Sequence, residues 1–180
     1  MAGCHRAGMP TLAATASHLL QLLYFMAPAY AANMAPPFVR YWKGWNRPIS
    51  RRWLGEHKTI IGFGIGVLAA VVMTFIQSRV AWPGTLITYD HWAALGVRFG
   101  AGAMAGDVAK SFVKRRLGIA PGHPWIPWDQ VDFALGALAL VWGRAALPWV
   151  DLATILLLTA AGHILVNHLG YWIGIRDVRW

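Results

Sequence analysis

A chain of 180 residues that is 57% hydrophobic and only 13% charged is too apolar for an ordinary soluble domain, and it has room for one unit, not two. Its formal charge of +9 would suit nucleic acid, but the basic residues lie in connections between apolar runs. That distribution points to anionic headgroups and a phosphorylated ligand, and away from DNA or RNA.

Apolar runs of this length predict an all-α integral membrane protein, a bundle of five transmembrane helices. The first fifteen residues hold no long apolar stretch, and the run after them has no clear cleavage site, so it reads as a retained span and not a removed signal. Cys4, the single cysteine, rules out a disulfide framework or a paired-cysteine metal site. The first span covers about 17–35 and is closed by Pro36 and Pro37. A connection over about 37–58 then carries Arg40, Lys43, Arg47, Arg51, Arg52 and Lys58 against one acid, Glu56. The second span, about 59–78, contains Gly62, Gly64 and Gly66; with no strand before them they suit close helix packing better than a dinucleotide fingerprint.

The third span, about 91–106, is short where about 20 residues are usual, and it carries Arg98. Its Gly100, Gly102, Ala103 and Gly106 allow neighbouring helices to approach closely, which predicts a place inside the bundle. A second charged connection, about 107–128, brings Lys110, Lys114, Arg115 and Arg116. The fourth and fifth spans follow at about 129–148 and 151–174, and the tail adds Arg176 and Arg179. Between spans two and three there is only Arg79 with Asp90. The bias of basic residues therefore predicts both charged connections and the C-terminus on the cytoplasmic side of a cell membrane, with the N-terminus outside. The two cytoplasmic connections would form the active-site face. The eleven tryptophans fit the same picture, since their rings favour the headgroup region.

Three of the seven carboxylates lie in GDVAKSFVKRRLGIAPGHPWIPWDQVDF, residues 106–133. If the third span continues as a helix past Gly106, Asp107, Ser111 and Lys114 stack on one face, a set able to hold a metal ion and a phosphate. The same spacing suits a solvated basic helix with Asp107 paired to Lys110 or Lys114, and exposed pairs of that kind are common. Asp129, after Pro127, reads as a helix N-cap with Asp132 in the first turn, or both as ligands of Mg²⁺, which takes a few carboxylates plus phosphates and water. Asp132 already abuts the apolar run from Phe133, where an unpaired carboxylate is costly. The linker RRLGIAPGHPWIP resists helix and strand and can offer backbone N–H groups, Arg115 and Arg116 to an anion, or simply anchor the chain to lipid headgroups. Lys58 and Thr59, just before a helix, can grip a phosphate at its N-terminus, or Lys58 can serve as an orientation anchor. His163 and Asn167, four apart in the last span, favour an interhelical hydrogen bond over a ligand role.

Taken in order, these residues resemble the CDP-archaeol synthases, small membrane cytidylyltransferases related to the larger CDP-diacylglycerol synthases. The resemblance rests on the 106–133 block, on PAYAANMAP (28–36), LGEHKT (54–59) and HILVNHLGYWIG (163–174), and covers nearly the whole chain. It implies a Mg²⁺-dependent transfer of a cytidylyl group from CTP to a lipid phosphate, archaetidic acid or phosphatidate-like, giving CDP-lipid and pyrophosphate. It implies metal binding by Asp107, Asp129 and Asp132, with Lys114 beside them in catalysis. Nucleotide phosphates would fall to Ser111, Arg115, Arg116, Lys58 and Thr59. CTP, a lipid phosphate and membrane lipids are the expected partners, and a homodimer is left open.

Two features depart from the family pattern. Ile61 stands in KTIIG where the family often has an arginine, and Arg98 and Arg144 fall inside spans. Two other activities fit the sequence less well. A CDP-alcohol phosphotransferase needs a motif with two late aspartates four apart after DG-x2-AR, which is absent. A non-catalytic transporter or lipid-binding protein would be expected to distribute polar residues through several spans, whereas here the acids gather at one face.

Overall fold

The computed structural model describes residues 12–39, 47–55, 58–120 and 123–173. Cys4, Arg40, Lys43, Glu56, Pro121, Gly122, Gly174, Arg176 and Arg179 lie outside the described residues. Within them the elements are α1 (Leu12–Met34), α2 (Pro36–Val39), α3 (Arg51–Leu54), α4 (Ile60–Val80), α5 (Trp92–Arg116), α6 (Trp128–Val141) and α7 (Trp149–Trp172). No strand occurs among the described residues, only an isolated antiparallel bridge between Pro48 and Thr59.

Local sequence explains where the helices start and stop. The α1 helix gives way at Met34, just before Pro36, because a residue preceding proline is disfavoured in the α region; Pro36 then opens the single turn of α2. Thr59 caps α4, its hydroxyl accepting from the Gly62 N–H at 3.1 Å. At the other end Ala81 takes a left-handed conformation that closes the last turn onto the Gln77 carbonyl. Three stretches are long and apolar enough to cross a membrane: Leu12–Val39, Ile60–Val80 and Trp149–Leu169.

The remaining two long helices differ from the sequence expectation. The third helix does not stop at Gly106; α5 runs on to Arg116, 25 residues in all, so much of the expected second connection is helical. The fourth is shorter than expected: α6 has 14 residues and ends at Val141, about 21 Å of helix. Arg144 therefore sits in the turn after α6 and not in a span, its N–H donating to the Val141 carbonyl. Arg98 is half-buried within the first two turns of α5, near enough to the helix end for its long side chain to reach out along it.

The core joins Leu22, Phe25, Met26 and Ala29 of α1 to Phe99 and Ala103 of α5 and to Phe133, Ala134 and Ala137 of α6. Phe25 and Phe99 meet edge to face at 5.3 Å. The tightest seam is α5 against α6. A Cβ added at Gly102 would come within 2.5 Å of the Gly136 carbonyl oxygen and 2.8 Å of the Ala137 Cα. One added at Gly106 would collide with the Asp132 carbonyl oxygen, and one at Gly136 with the Gly102 carbonyl oxygen. The two backbones touch, and only glycine fits.

Candidate active site

That contact sets the position of the charged residues. Gly106 lies against the Asp132 backbone, so the next turn of α5 and the first turn of α6 emerge side by side at one end of the bundle. Asp107, Lys110, Ser111 and Lys114 all fall on the stretch of α5 that follows, at the three- and four-residue spacings that share a helix face. Asp129 and Asp132 face them from α6, and Lys58 reaches in from the residues before α4.

Lys110 stands at the centre. Its Nζ is 2.8 Å from Asp132, 3.3 Å from Asp107 and 3.3 Å from Asp129. Among the described residues Lys58 pairs with Asp107 alone. Lys114 donates to both oxygens of Asp129, at 3.0 and 3.1 Å, and to the His123 carbonyl at 2.6 Å. Three carboxylates thus meet three ammonium groups in a half-dry cleft. Burial alone would push the Asp107 carboxyl up, but Lys58 and Lys110 more than cancel this and hold it below the usual carboxylate range. For Lys110 burial works downward and is outweighed by Asp132 and Asp107, so its ammonium is held above the ordinary lysine range.

Asp132 is the most enclosed of the acids, its side chain 6% exposed. Its Oδ2, buried from solvent, has the Lys110 ammonium as its ion-pair partner at 2.8 Å. Asp129 is not the N-cap of α6, since the helix begins at Trp128 after Pro127. Its carboxylate reaches back to accept from the Trp125 N–H at 2.6 Å, which ties the preceding loop to the site.

The expected phosphate-binding residues are distributed unevenly. Ser111 adjoins the cluster, with its hydroxyl donating to the Asp107 carbonyl at 2.9 Å. Arg115 folds over the loop, one terminal nitrogen donating to the Ile119 carbonyl at 2.6 Å, while its Nε is buried without a hydrogen-bond partner. Arg116 turns away to lie 4.4 Å over the Trp53 ring of α3 and 5.2 Å from Phe112. Thr59 spends its hydroxyl on the α4 cap. His163 and Asn167, four apart on α7, meet each other at 3.2 Å.

Lys110 is the residue the sequence reading missed, having entered only as a salt-bridge partner of Asp107. Its place three residues after Asp107 was a signal; its contacts with α6 had none in one dimension.

Three carboxylates around one cation position offer the hard oxygen donors that suit Mg²⁺. As they stand, no three acidic or imidazole groups among the described residues are close enough to hold an ion together. The donor chemistry fits; the central position is held by Lys110.

Comparison with known proteins decides the family. The family described as CarS-like, CDP-archaeol synthase, matches residues 16–180. The chain belongs to the CDP-archaeol synthase family. A CDP-archaeol synthase of Methanopyrus kandleri is 39% identical over 170 residues, covering 88% of this chain and 91% of the relative. One from Methanosphaerula palustris is 38% identical, covering 86% and 100%. A solved structure of an intramembrane enzyme for archaeal membrane lipid biosynthesis superposes with a TM-score of 0.63 at 32% identity, over 83% of this chain and 94% of that one. As a member of the CDP-archaeol synthase family the protein is a multi-pass membrane enzyme, a nucleotidyltransferase of lipid biosynthesis.

Proposed function

We propose that this protein transfers the cytidylyl group of CTP to a lipid phosphate of the archaetidic acid type, giving a CDP-archaeol-like lipid and pyrophosphate. The observation that carries the reading is the cluster of Asp107, Asp129 and Asp132 with Lys58, Lys110 and Lys114, set at the end of an apolar bundle. A lipid held by the bundle would present its phosphate at that end, where the nucleotide arrives from water.

An oxygen of the lipid phosphate attacks the α-phosphorus, a new P–O bond forms, and the bond to the bridging oxygen of the leaving pyrophosphate breaks. The nucleophile is already ionised, so the demand on the protein is charge neutralisation and alignment, not proton abstraction. Asp107, Asp129 and Asp132 would hold Mg²⁺, which when bound neutralises phosphate charge and aligns the reacting groups. Lys114, fixed by Asp129 and the His123 carbonyl, would contact the phosphates of the nucleotide. Lys58 already belongs to the cluster and Ser111 adjoins it, whereas Arg115, Thr59 and Arg116 would join only by leaving their present partners.

In this reading the whole chain is one unit. The helices α1, α4, α5, α6 and α7 all cross the bilayer, with the N-terminus outside and the charged end and C-terminus cytoplasmic, as the bias of basic residues argues. The test is pyrophosphate release by the purified full-length protein with CTP, Mg²⁺ and a panel of lipid phosphates carrying isoprenoid ether or fatty acyl tails. Turnover with the ether lipid is expected, and release with none of the panel would sink the proposal. Thermal protection by CTP over GTP separates this enzyme from a transporter or lipid carrier of the same fold.

A further inference from the structure

We propose that Lys110 is the resident counter-ion of the carboxylate site: a positioning residue that holds Asp107, Asp129 and Asp132 together until an entering divalent cation displaces it. The inference rests on the reading of those three carboxylates as the metal-binding set.

Geometry singles Lys110 out from the other two lysines. Lys58 serves Asp107 and Lys114 serves Asp129, whereas the Lys110 Nζ lies between all three acids and links α5 to α6. Its distances of 2.8 to 3.3 Å are those of an ammonium ion pair. Magnesium takes oxygen ligands at about 2.0–2.1 Å, so an ion and this ammonium group cannot share the centre. The side chain is only 15% exposed and cannot simply be bypassed by solvent.

Charge counting gives the consequence. Three carboxylates and three ammonium groups balance, and a divalent cation added alone would leave the cleft with two excess positive charges. A nucleoside triphosphate entering with the cation supplies the opposite charge, and its phosphates give the displaced Lys110 a new partner. Metal and nucleotide are then coupled through Lys110: each binds weakly alone and better together. The resident lysine also spares the empty site the mutual repulsion of three carboxylates packed against a glycine seam.

The test measures Mn²⁺ binding to the detergent-solubilised full-length protein from the free-ion electron paramagnetic resonance signal, with and without CTP and with no lipid acceptor. In wild type, CTP should tighten Mn²⁺ binding roughly tenfold, an ordinary size for coupling between sites. Lys110→Met should bind Mn²⁺ roughly tenfold more tightly than wild type without CTP, with the CTP effect largely gone. Lys110→Arg keeps the charge and adds a rigid fork, so it should bind Mn²⁺ no better than wild type; it also carries the test if the methionine variant fails to fold. A folded Lys110→Met with unchanged or weaker Mn²⁺ affinity, or a Lys110→Arg with tighter affinity, overturns the proposal while leaving the metal reading in place. Wild type that binds no Mn²⁺ with or without CTP overturns the metal reading itself, and this inference with it.

Discussion

Two seams of the bundle are built in opposite ways. Between α5 and α6 the backbones touch at Gly102, Gly106 and Gly136, and nothing larger fits. Between α1 and α7 the helices are joined by polar side chains: His18 to Asp151 at 2.8 Å and Tyr30 to Thr159 at 2.9 Å. The buried residues of α7, Asp151, Ile155, Thr159 and Asn167, follow one stripe at multiples of four, while its other faces are half-buried or exposed. Inside a membrane lipid tails are as apolar as leucine, so helices gain little from hiding leucines from them. Close backbone packing and hydrogen bonds are what remain. The first is rigid and sits beneath the charged cluster; the second holds an outer helix in register. The contrast teaches that the charged cluster is built on the seam that cannot slide.

The largest way to break the contrast is Gly136→Ala. Its methyl would meet the Gly102 carbonyl oxygen and lie 2.8 Å from the Gly106 backbone, neither of which can turn aside. We expect destabilisation of about 3 kcal/mol or more and loss of turnover, read from the melting temperature in detergent and from pyrophosphate release. Next comes Asp132→Asn, which keeps the shape of the side chain and removes its charge from the end of the same seam. CTP-dependent turnover should fall about 100-fold or more with the helical fold and membrane insertion intact.

On the polar seam the effects should be smaller. Tyr30→Phe removes only the hydroxyl paired with Thr159 and should cost about 0.6–1 kcal/mol of stability, with turnover within about twofold of wild type. A loss of activity matching that of Gly136→Ala would show that the α1–α7 seam also positions the site. The smallest effect belongs to Gly64→Ala. No atom lies within 4 Å of a Cβ built there, so the melting temperature should hold or rise slightly, since alanine favours helix over glycine by about 1 kcal/mol.

Much of the site was legible in one dimension because its residues are local to two helices. Asp107, Ser111 and Lys114 announced a shared face by spacing, and α5 does run on as a helix to carry them. Apolarity ends at Gly106, which closes the expected span but leaves open whether the helix runs on. KSFVKRR is a good helical sequence, and its charged turns find partners on α6 and in the following loop. The expected phosphate role of Arg116 draws on its charge and on the family resemblance, and neither reveals that Trp53, more than sixty residues earlier, offers that guanidinium an aromatic face.

The sequence by itself determined the apolar runs, the one charged end, the glycines and the order of acids and bases, because each depends on residue type and near-neighbour spacing. Only the tertiary structure decided that α5 and α6 meet backbone to backbone and that Asp132 is the most buried of the three clustered carboxylates. It also decided that Lys110, and not one of its flanking lysines, occupies the centre of the three carboxylates. Those facts depend on the distance between two helices, which is set where glycine leaves no side chain to keep them apart.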